Sequence, residues 1–397
     1  MVYRFRDCEL DPDRHLFLRD GAEVSLEPQV FDLLVLLVSN SGRLLDRDRL
    51  MEEIWGGRIV SEATVSSRIN SVRKAIGDDG KAQSMLQTVP RRGFRFVAEV
   101  VTEPEPRNHA SPPDQAVQQT IRMTLSKDGT RIAYTTTGEG PPLLRAGHFL
   151  THLELDWVSP VWRPLLDRLG ASRSVTRYDQ RTTGLSASSA PSLELDSLVD
   201  DLEAVAEAAG LRRFPIFAQS QGVPVAIAYA SRHPDRVSCM VLYGGYAQGR
   251  THRETDTERQ NAEAVLTIIR QGWGRSGTAF ATAFSTLYMP DATQEQLAHM
   301  TEMQLASATA DNAVALRQAI DCFDVSGLLG EIRCPTLILH VQDDAVQPVE
   351  QAGVLAAGIP NAELRILSGC NHIPLPQDQN WSELLNQAET FLSKHAE

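Results

Sequence analysis

No stretch of this 397-residue chain is apolar over a length that could cross a bilayer. A spanning helix needs about 20 apolar residues, whereas the best candidate, Val30 to Val38, is short and includes Asp32. The opening MVYRFRDCEL has no apolar core like that of a secretory signal. A cytoplasmic protein without a membrane partner is therefore expected. Cysteine is scarce as well: Cys8, Cys239, Cys322, Cys334 and Cys370 are scattered, with no CxxC pair and no His/Cys cluster at metal spacing. That argues against a disulfide framework or a zinc module and leaves no sign of a metal or cofactor. An excess of positive charge is also missing. The formal net charge of −13 argues against a globally basic nucleic-acid binder.

What is present is the composition of a globular protein, in a chain too long for one ordinary core, so two or more domains are expected. Charge is distributed unevenly. Residues 61–95 carry Arg68, Arg73, Lys74, Lys81, Arg91, Arg92 and Arg95 against Glu62, Asp78 and Asp79. A basic patch on an acidic chain suits a protein that touches phosphate with one face. Residues 101–117, VTEPEPRNHASPPDQAV, hold Pro104, Pro106, Pro112 and Pro113 and little to bury. Proline fixes φ and removes a donor, so this segment reads as an extended linker. It separates a domain of residues 1–100 from one of residues 118–397.

The first domain opens with strand-like segments YRFRDCEL, HLFLRDG and AEVSL, followed by the apolar helix PQVFDLLVLLVSNSG and a second helix, DRDRLMEEIWG, that includes Trp55. A third helix begins at Ser61, a good N-cap. In it Val65, Ile69, Val72 and Ile76 recur at helical spacing and form a core-facing stripe. The opposite face offers Ser67, Arg68, Asn70, Ser71 and Lys74. A hairpin with Arg91, Arg92 and Gly93 at its tip follows. This order is that of a winged helix-turn-helix, in which one helix enters the major groove and the hairpin contacts phosphates or the minor groove.

Residues 1–100 resemble the OmpR/PhoB-type winged-helix domain. The ending Thr88-Val89-Pro90-Arg91-Arg92-Gly93-Phe94-Arg95-Phe96 is similar to that of CadC/ToxR-type membrane-anchored regulators. The resemblance implies double-stranded DNA as partner, with Arg68, Asn70, Ser71 and Arg73 facing it and Arg91, Arg92 and Arg95 on the wing. Neither a preceding receiver domain nor a following transmembrane segment is visible. Winged-helix domains usually occupy paired sites, so a homodimer is expected. RNA polymerase is an open partner.

Beyond the linker, IRMTLSKDGTRIAYTTTG reads as a hairpin around Lys127-Asp128-Gly129. The apolar segments PPLLRAG, SVTRYD, FPIFAQS, CMVLYGG, PTLILHV and AELRILSG then alternate with helical stretches, which predicts a parallel sheet covered by helices. Ser220 follows one strand and precedes a helix, the context of a nucleophile elbow. Asp344 and His372 follow later strands. The order Ser, Asp, His is that of the α/β-hydrolase fold, which residues 118–397 resemble. The stretch Asp179-Gln-Arg-Thr-Thr-Gly184-Leu-Ser186 resembles that family's DxRGxGxS. Ala218 stands where the elbow has glycine, and Thr182 where the other motif has one, which leaves turnover open. Oxyanion donors are expected from Gln221 and from His148 or Phe149. Helical residues from Ala247 to about Ile332 predict a cap, in which Phe280, Phe284, Leu287, Tyr288, Met289, Met300 and Met303 would form an apolar lid or pack among the cap helices.

The fold expected is an α+β winged helix-turn-helix followed by an α/β-hydrolase fold with a helical cap. The function expected is a one-component transcriptional regulator whose hydrolase-like domain senses, or slowly hydrolyses, a small hydrophobic ester, lactone or amide. The alternatives are an active serine esterase or lactonase with an accessory DNA-binding domain, and a scaffold with an empty pocket.

Overall fold

Tyr3 to Leu10 reads as a single strand but folds as two. In the computed structural model, β1 (Val2–Phe5) and β2 (Cys8–Asp11) pair antiparallel with Phe5 opposite Cys8. Between them Arg6 takes φ 51°, a left-handed backbone that reverses the chain and that residue type alone does not announce. The structure describes residues 2–12, 16–24, 26–46, 49–50, 53–54, 62–89, 92–98, 100–103, 119–253, 256–273 and 279–396. Ser61, Trp55 and Arg91 lie outside them, as does most of the second expected helix. The described residues fall into two units, Met1–Asp114 and Gln115–Glu397.

In the first unit β3 (Leu16–Arg19), β4 (Ala22–Glu23) and β8 (Val101–Glu103) complete a sheet of order β4-β3-β2-β1-β8. Strand β8 lies where the linker was expected to begin. The β-branched Val101 and Thr102 extend the sheet along β1 before the prolines, which cannot donate to a ladder. Helices Pro28–Ser39 and Glu62–Ile76 pack over a core that includes Leu33, Leu37, Val65, Ile69, Val72 and Ile76, so the expected stripe faces inward. The hairpin follows as β6 (Leu86–Val89) and β7 (Gly93–Phe96), with β5 (Leu44–Leu45) paired to β7. Gly93 has φ 137°, and a Cβ there would sit 2.0 Å from the Leu45 carbonyl oxygen, so only glycine lets the hairpin approach β5.

The second unit is built on an eight-stranded sheet. Its strands are β9 (Arg122–Leu125), β10 (Arg131–Thr137), β11 (Pro142–Arg145), β12 (Ser174–Tyr178), β13 (Phe214–Gln219), β14 (Val237–Tyr243), β15 (Thr336–Val341) and β16 (Ala362–Leu367), in the order β16-β15-β14-β13-β11-β12-β10-β9. The pairs from β12 through β16 are parallel, while β9 and β10 are antiparallel. Every residue of β13 and β14 is buried, as central strands covered on both faces require. Between β14 and β15 the chain inserts helices Asp256–Gly272, Ala279–Tyr288, Gln294–Ser307 and Ala310–Asp321. This is the inserted helical region of an α/β-hydrolase fold. Among the described residues no helix is long and apolar enough to cross a membrane.

Candidate active site and nucleic-acid face

Strand β13 ends at Gln219 and the helix Gly222–Arg232 starts three residues later, which forces a sharp turn at Ser220. Ser220 has φ 53°, a strained conformation for a non-glycine residue that costs ~1–3 kcal/mol and that lifts its side chain out of the sheet. Gly222 lets the elbow sit close to the loop after β11. A Cβ there would come 2.8 Å from the Gly147 carbonyl oxygen. Ala218 is fully buried in the strand, so its methyl is accommodated. Thr182, by contrast, holds φ 65° where the related motif has glycine, and its hydroxyl is buried without a partner among the described residues.

The loops after β15 and β16 bring the other two residues to the serine. His372 Nε2 lies 2.8 Å from Ser220 Oγ, and Nδ1 lies 2.7 Å from Asp344 Oδ2. The other carboxylate oxygen, Asp344 Oδ1, accepts the N–H groups of Val346 and Gln347 at 2.8 and 2.9 Å. Burial alone would raise the Asp344 carboxyl. The attraction His372 exerts when protonated, its hydrogen bond and the Gln347 N–H outweigh it and hold the group below the usual carboxylate range. The carboxylate is thus ionised at neutral pH and fixes the imidazole tautomer. The hydroxyl of Tyr243 donates to the Asn371 carbonyl at 3.1 Å, which anchors the histidine loop.

The expected oxyanion residues also gather here. Gln221 follows the serine, and its side-chain amide donates to the Gly147 carbonyl and to Gln180 Oε1, tying the elbow to the loop that carries His148 and Phe149. The N–H groups of Gln221 and Phe149 donate to no backbone carbonyl among the described residues. The same is true of the His148 N–H. A cavity of about 30 Å³ adjoins Ser220, with His148, Phe149, Trp162, Gln219, Phe284 and Tyr288 in its wall. From the cap, Phe284 stacks on Tyr288 at 4.7 Å, and Tyr288 meets the His372 ring edge-on at 5.5 Å. Of the expected lid residues, Phe284, Tyr288 and Met300 line this cavity. Met289 and Met303 are buried in the core, Leu287 packs against it, and the Phe280 side chain lies outside the described residues.

Two buried residues near the site were not expected from the sequence. His340 is fully buried on β15, 3.8 Å from Asp344 Oδ2, and a histidine inside the apolar run LILHV was its signal. Arg145, at the end of β11, is buried with its guanidinium over the Trp162 ring at 4.9 Å, and the His148 ring lies 4.4 Å from that same ring. An arginine inside PPLLRAG was a similar signal.

On the first unit, Ser67, Asn70 and Lys74 of helix Glu62–Ile76 are exposed and Ser71 is half-buried, its hydroxyl donating to the Ser67 carbonyl. Arg68 pairs with Glu27. Arg92 is exposed at the hairpin tip, and Arg95 is half-buried in β7. Arg73 departs from expectation. It is buried, and its guanidinium donates to the Leu86 carbonyl at 3.0 Å and to Thr88 Oγ1 at 2.8 Å. It braces the helix against β6 instead of facing outward, because its position falls beside the Val72 stripe.

A mostly parallel sheet with a serine elbow, a histidine loop and a helical insert defines the α/β-hydrolase class. Residues 152–379, more than half of the chain, match the family model described as alpha/beta hydrolase fold, and the chain belongs to that family. Residues 21–96 match the model described as Transcriptional regulatory protein, C terminal, which makes the first unit a DNA-binding regulatory domain. The Transcriptional activator CadC of Escherichia coli (strain K12) is 33% identical over 101 residues, covering 25% of this chain and 20% of that protein. The Transcriptional regulatory protein SrrA of Staphylococcus aureus (strain NCTC 8325 / PS 47) is 32% identical over 107 residues, covering 26% and 44%. The chain thus spans less than half the length of these curated relatives. Among solved structures, esterase RhEst1 from Rhodococcus sp. ECU1013 is similar at a TM-score of 0.59 and 22% identity, covering 70% of this chain and 99% of that one. A thermophilic esterase from Thermogutta terrifontis is similar at a TM-score of 0.54 and 24% identity, covering 70% and 98%. At such identities the likeness concerns the fold.

Proposed function

We propose that the chain is a serine hydrolase for a small hydrophobic ester, lactone or amide, joined to a DNA-binding regulatory domain. The observation that carries this reading is the unbroken path from Asp344 through His372 to Ser220, at 2.7 and 2.8 Å, ending on a strained elbow. A serine hydroxyl is too weakly acidic to attack an acyl carbon unaided. His372 Nε2 takes its proton as Oγ attacks, and Asp344 steadies the imidazolium. The carbonyl oxygen becomes an oxyanion held by the Gln221 N–H and that of His148 or Phe149. His372 then protonates the leaving group, and a water molecule releases the acyl enzyme by the same route in reverse roles.

The match to a regulatory domain favours a second reading, in which the cleft serves as a ligand sensor and turnover only resets it. On either reading the protein acts in the cytoplasm as a homodimer on paired double-stranded DNA sites, with RNA polymerase as a further partner. The wing Thr88–Phe96 supports a CadC/ToxR-like mode of docking. Substitution Ser220→Ala separates the readings. Hydrolysis of phenyl propionate should fall at least a thousandfold. If ligand-dependent DNA binding survives that loss, the cleft works as a sensor. If wild type hydrolyses no phenyl, naphthyl or lactone substrate above its Ser220→Ala variant, the hydrolase reading fails.

A further inference from the structure

Two polar side chains in the wall of the cavity beside Ser220 take no part in the catalytic path. Gln219, the residue preceding the serine, is 2% exposed, lines the cavity, and its Oε1 has no partner among the described residues. His148, 6% exposed, lines the same cavity with Nε2 likewise unpartnered. Burial, reinforced by Arg145 and His372, drives the His148 imidazole well below its usual range, so it is neutral. Buried polar atoms are normally satisfied by protein, water or ligand. Neither atom finds such a partner among the described residues, and both residues line the cavity.

The rest of the wall narrows the choice of group. Among the described residues that line the cavity, none is Asp, Glu, Lys or Arg, and Phe149, Leu150, Trp162, Phe284 and Met300 are apolar. A charged group on the ligand would be desolvated without a counter-ion there. A carbonyl or ether offers only lone pairs and cannot satisfy Gln219 Oε1. A hydroxyl can donate to that oxygen and accept from an imidazole N–H, and it answers the Gln219 amide in either orientation. The free volume of about 30 Å³ leaves room for a small polar group beside the serine.

We propose that Gln219 and His148 form a subsite for a hydroxyl on the acyl part of the ligand, so that the cleft prefers short hydroxyacyl compounds over their hydrocarbon isosteres. This deepens the hydrolase reading and rests on it for the orientation of the acyl group.

Phenyl glycolate and phenyl propionate differ in the acyl group by a hydroxyl in place of a methyl. The ratio of their kcat/KM values is measured for the full chain and for Gln219→Leu. Intrinsic ester reactivity cancels when the two ratios are compared. The ratio should fall at least tenfold in the variant, whose fold is checked by its melting curve. An unchanged ratio overturns the subsite. A second measurement does not need turnover: binding of glycolamide and propionamide to the full-length Ser220→Ala variant. Glycolamide should bind at least fivefold more tightly, and adding Gln219→Leu or His148→Phe should abolish the preference. Equal affinities for the two amides in Ser220→Ala also overturn it. That preference with no ester hydrolysis by wild type would keep the subsite and discard the hydrolase.

Discussion

Asp179 shows how burial can reverse the usual behaviour of a carboxyl. It begins the stretch that resembles DxRGxGxS, and its Oδ2 accepts the N–H groups of Leu185 at 2.8 Å and Leu153 at 3.2 Å. Desolvation, helped by the nearby Asp156, nevertheless outweighs these bonds and the Arg177 charge, pushing the group up to about 7 from the ordinary 3.8. A carboxyl raised by folding contributes its full stability below the unfolded value and loses it as pH rises through the folded one. Asp179 should therefore make the second unit progressively less stable between about pH 4 and 7, and level above that. Asparagine accepts the same two hydrogen bonds and does not ionise. The Asp179→Asn variant should melt above wild type at pH 8, with the advantage shrinking towards pH 4. Asp156, raised to about 6 by desolvation, adds a slope of the same sign that remains in both proteins. Melting curves for the two proteins that stay parallel across pH would refute this account.

At the scale of elements, the features readable in the sequence are those set by local periodicity and order. The stripe Val65, Ile69, Val72, Ile76 follows from helical spacing, the hairpin around Gly129 from its turn residues, and the central strands of the large sheet from continuous apolar runs, so the fold class was legible. The residues Ser220, Asp344 and His372 were legible because each follows a strand in a fixed order. The split of β1 from β2 was not, since it turns on the φ of Arg6, and neither was β8, which depends on pairing with a strand about 100 residues away. Arg73 was misjudged for a related reason. A cation one residue from an apolar stripe can face either way, and the neighbouring Leu86 carbonyl and Thr88 hydroxyl decide it. The hairpin makes its own prediction. Each phosphate contact contributes about 0.9 to the slope of log K against log salt. The double substitution Arg91→Ala, Arg92→Ala should reduce that slope by about 2 and weaken all duplexes alike. Asn70→Ala, on the helix face, should change the preferred sequence and leave the slope almost intact. Titrations at several salt concentrations distinguish the two. A sequence-selective effect of the wing substitutions would place the hairpin in a groove reading bases.

For the whole molecule, the question is whether occupancy of the cleft is felt by the DNA-binding face. A ligand shifts an equilibrium only through its difference in affinity between two states, and such coupling is reciprocal. On the proposed reading the Ser220→Ala full chain should hold phenyl propionate without consuming it, so both directions can be measured. With a duplex selected by the full chain from a random pool, saturating ester should change the DNA Kd at least fivefold, equivalent to about 1 kcal/mol. Saturating duplex should change the ester Kd by the same factor. In the wild-type chain the effect on DNA should appear on adding the ester and decay at the rate of hydrolysis. Decay in wild type with persistence in Ser220→Ala would make catalysis the timer of the regulatory signal. A DNA Kd indifferent to the ester in both proteins would mean that the fusion merely holds a hydrolase near DNA.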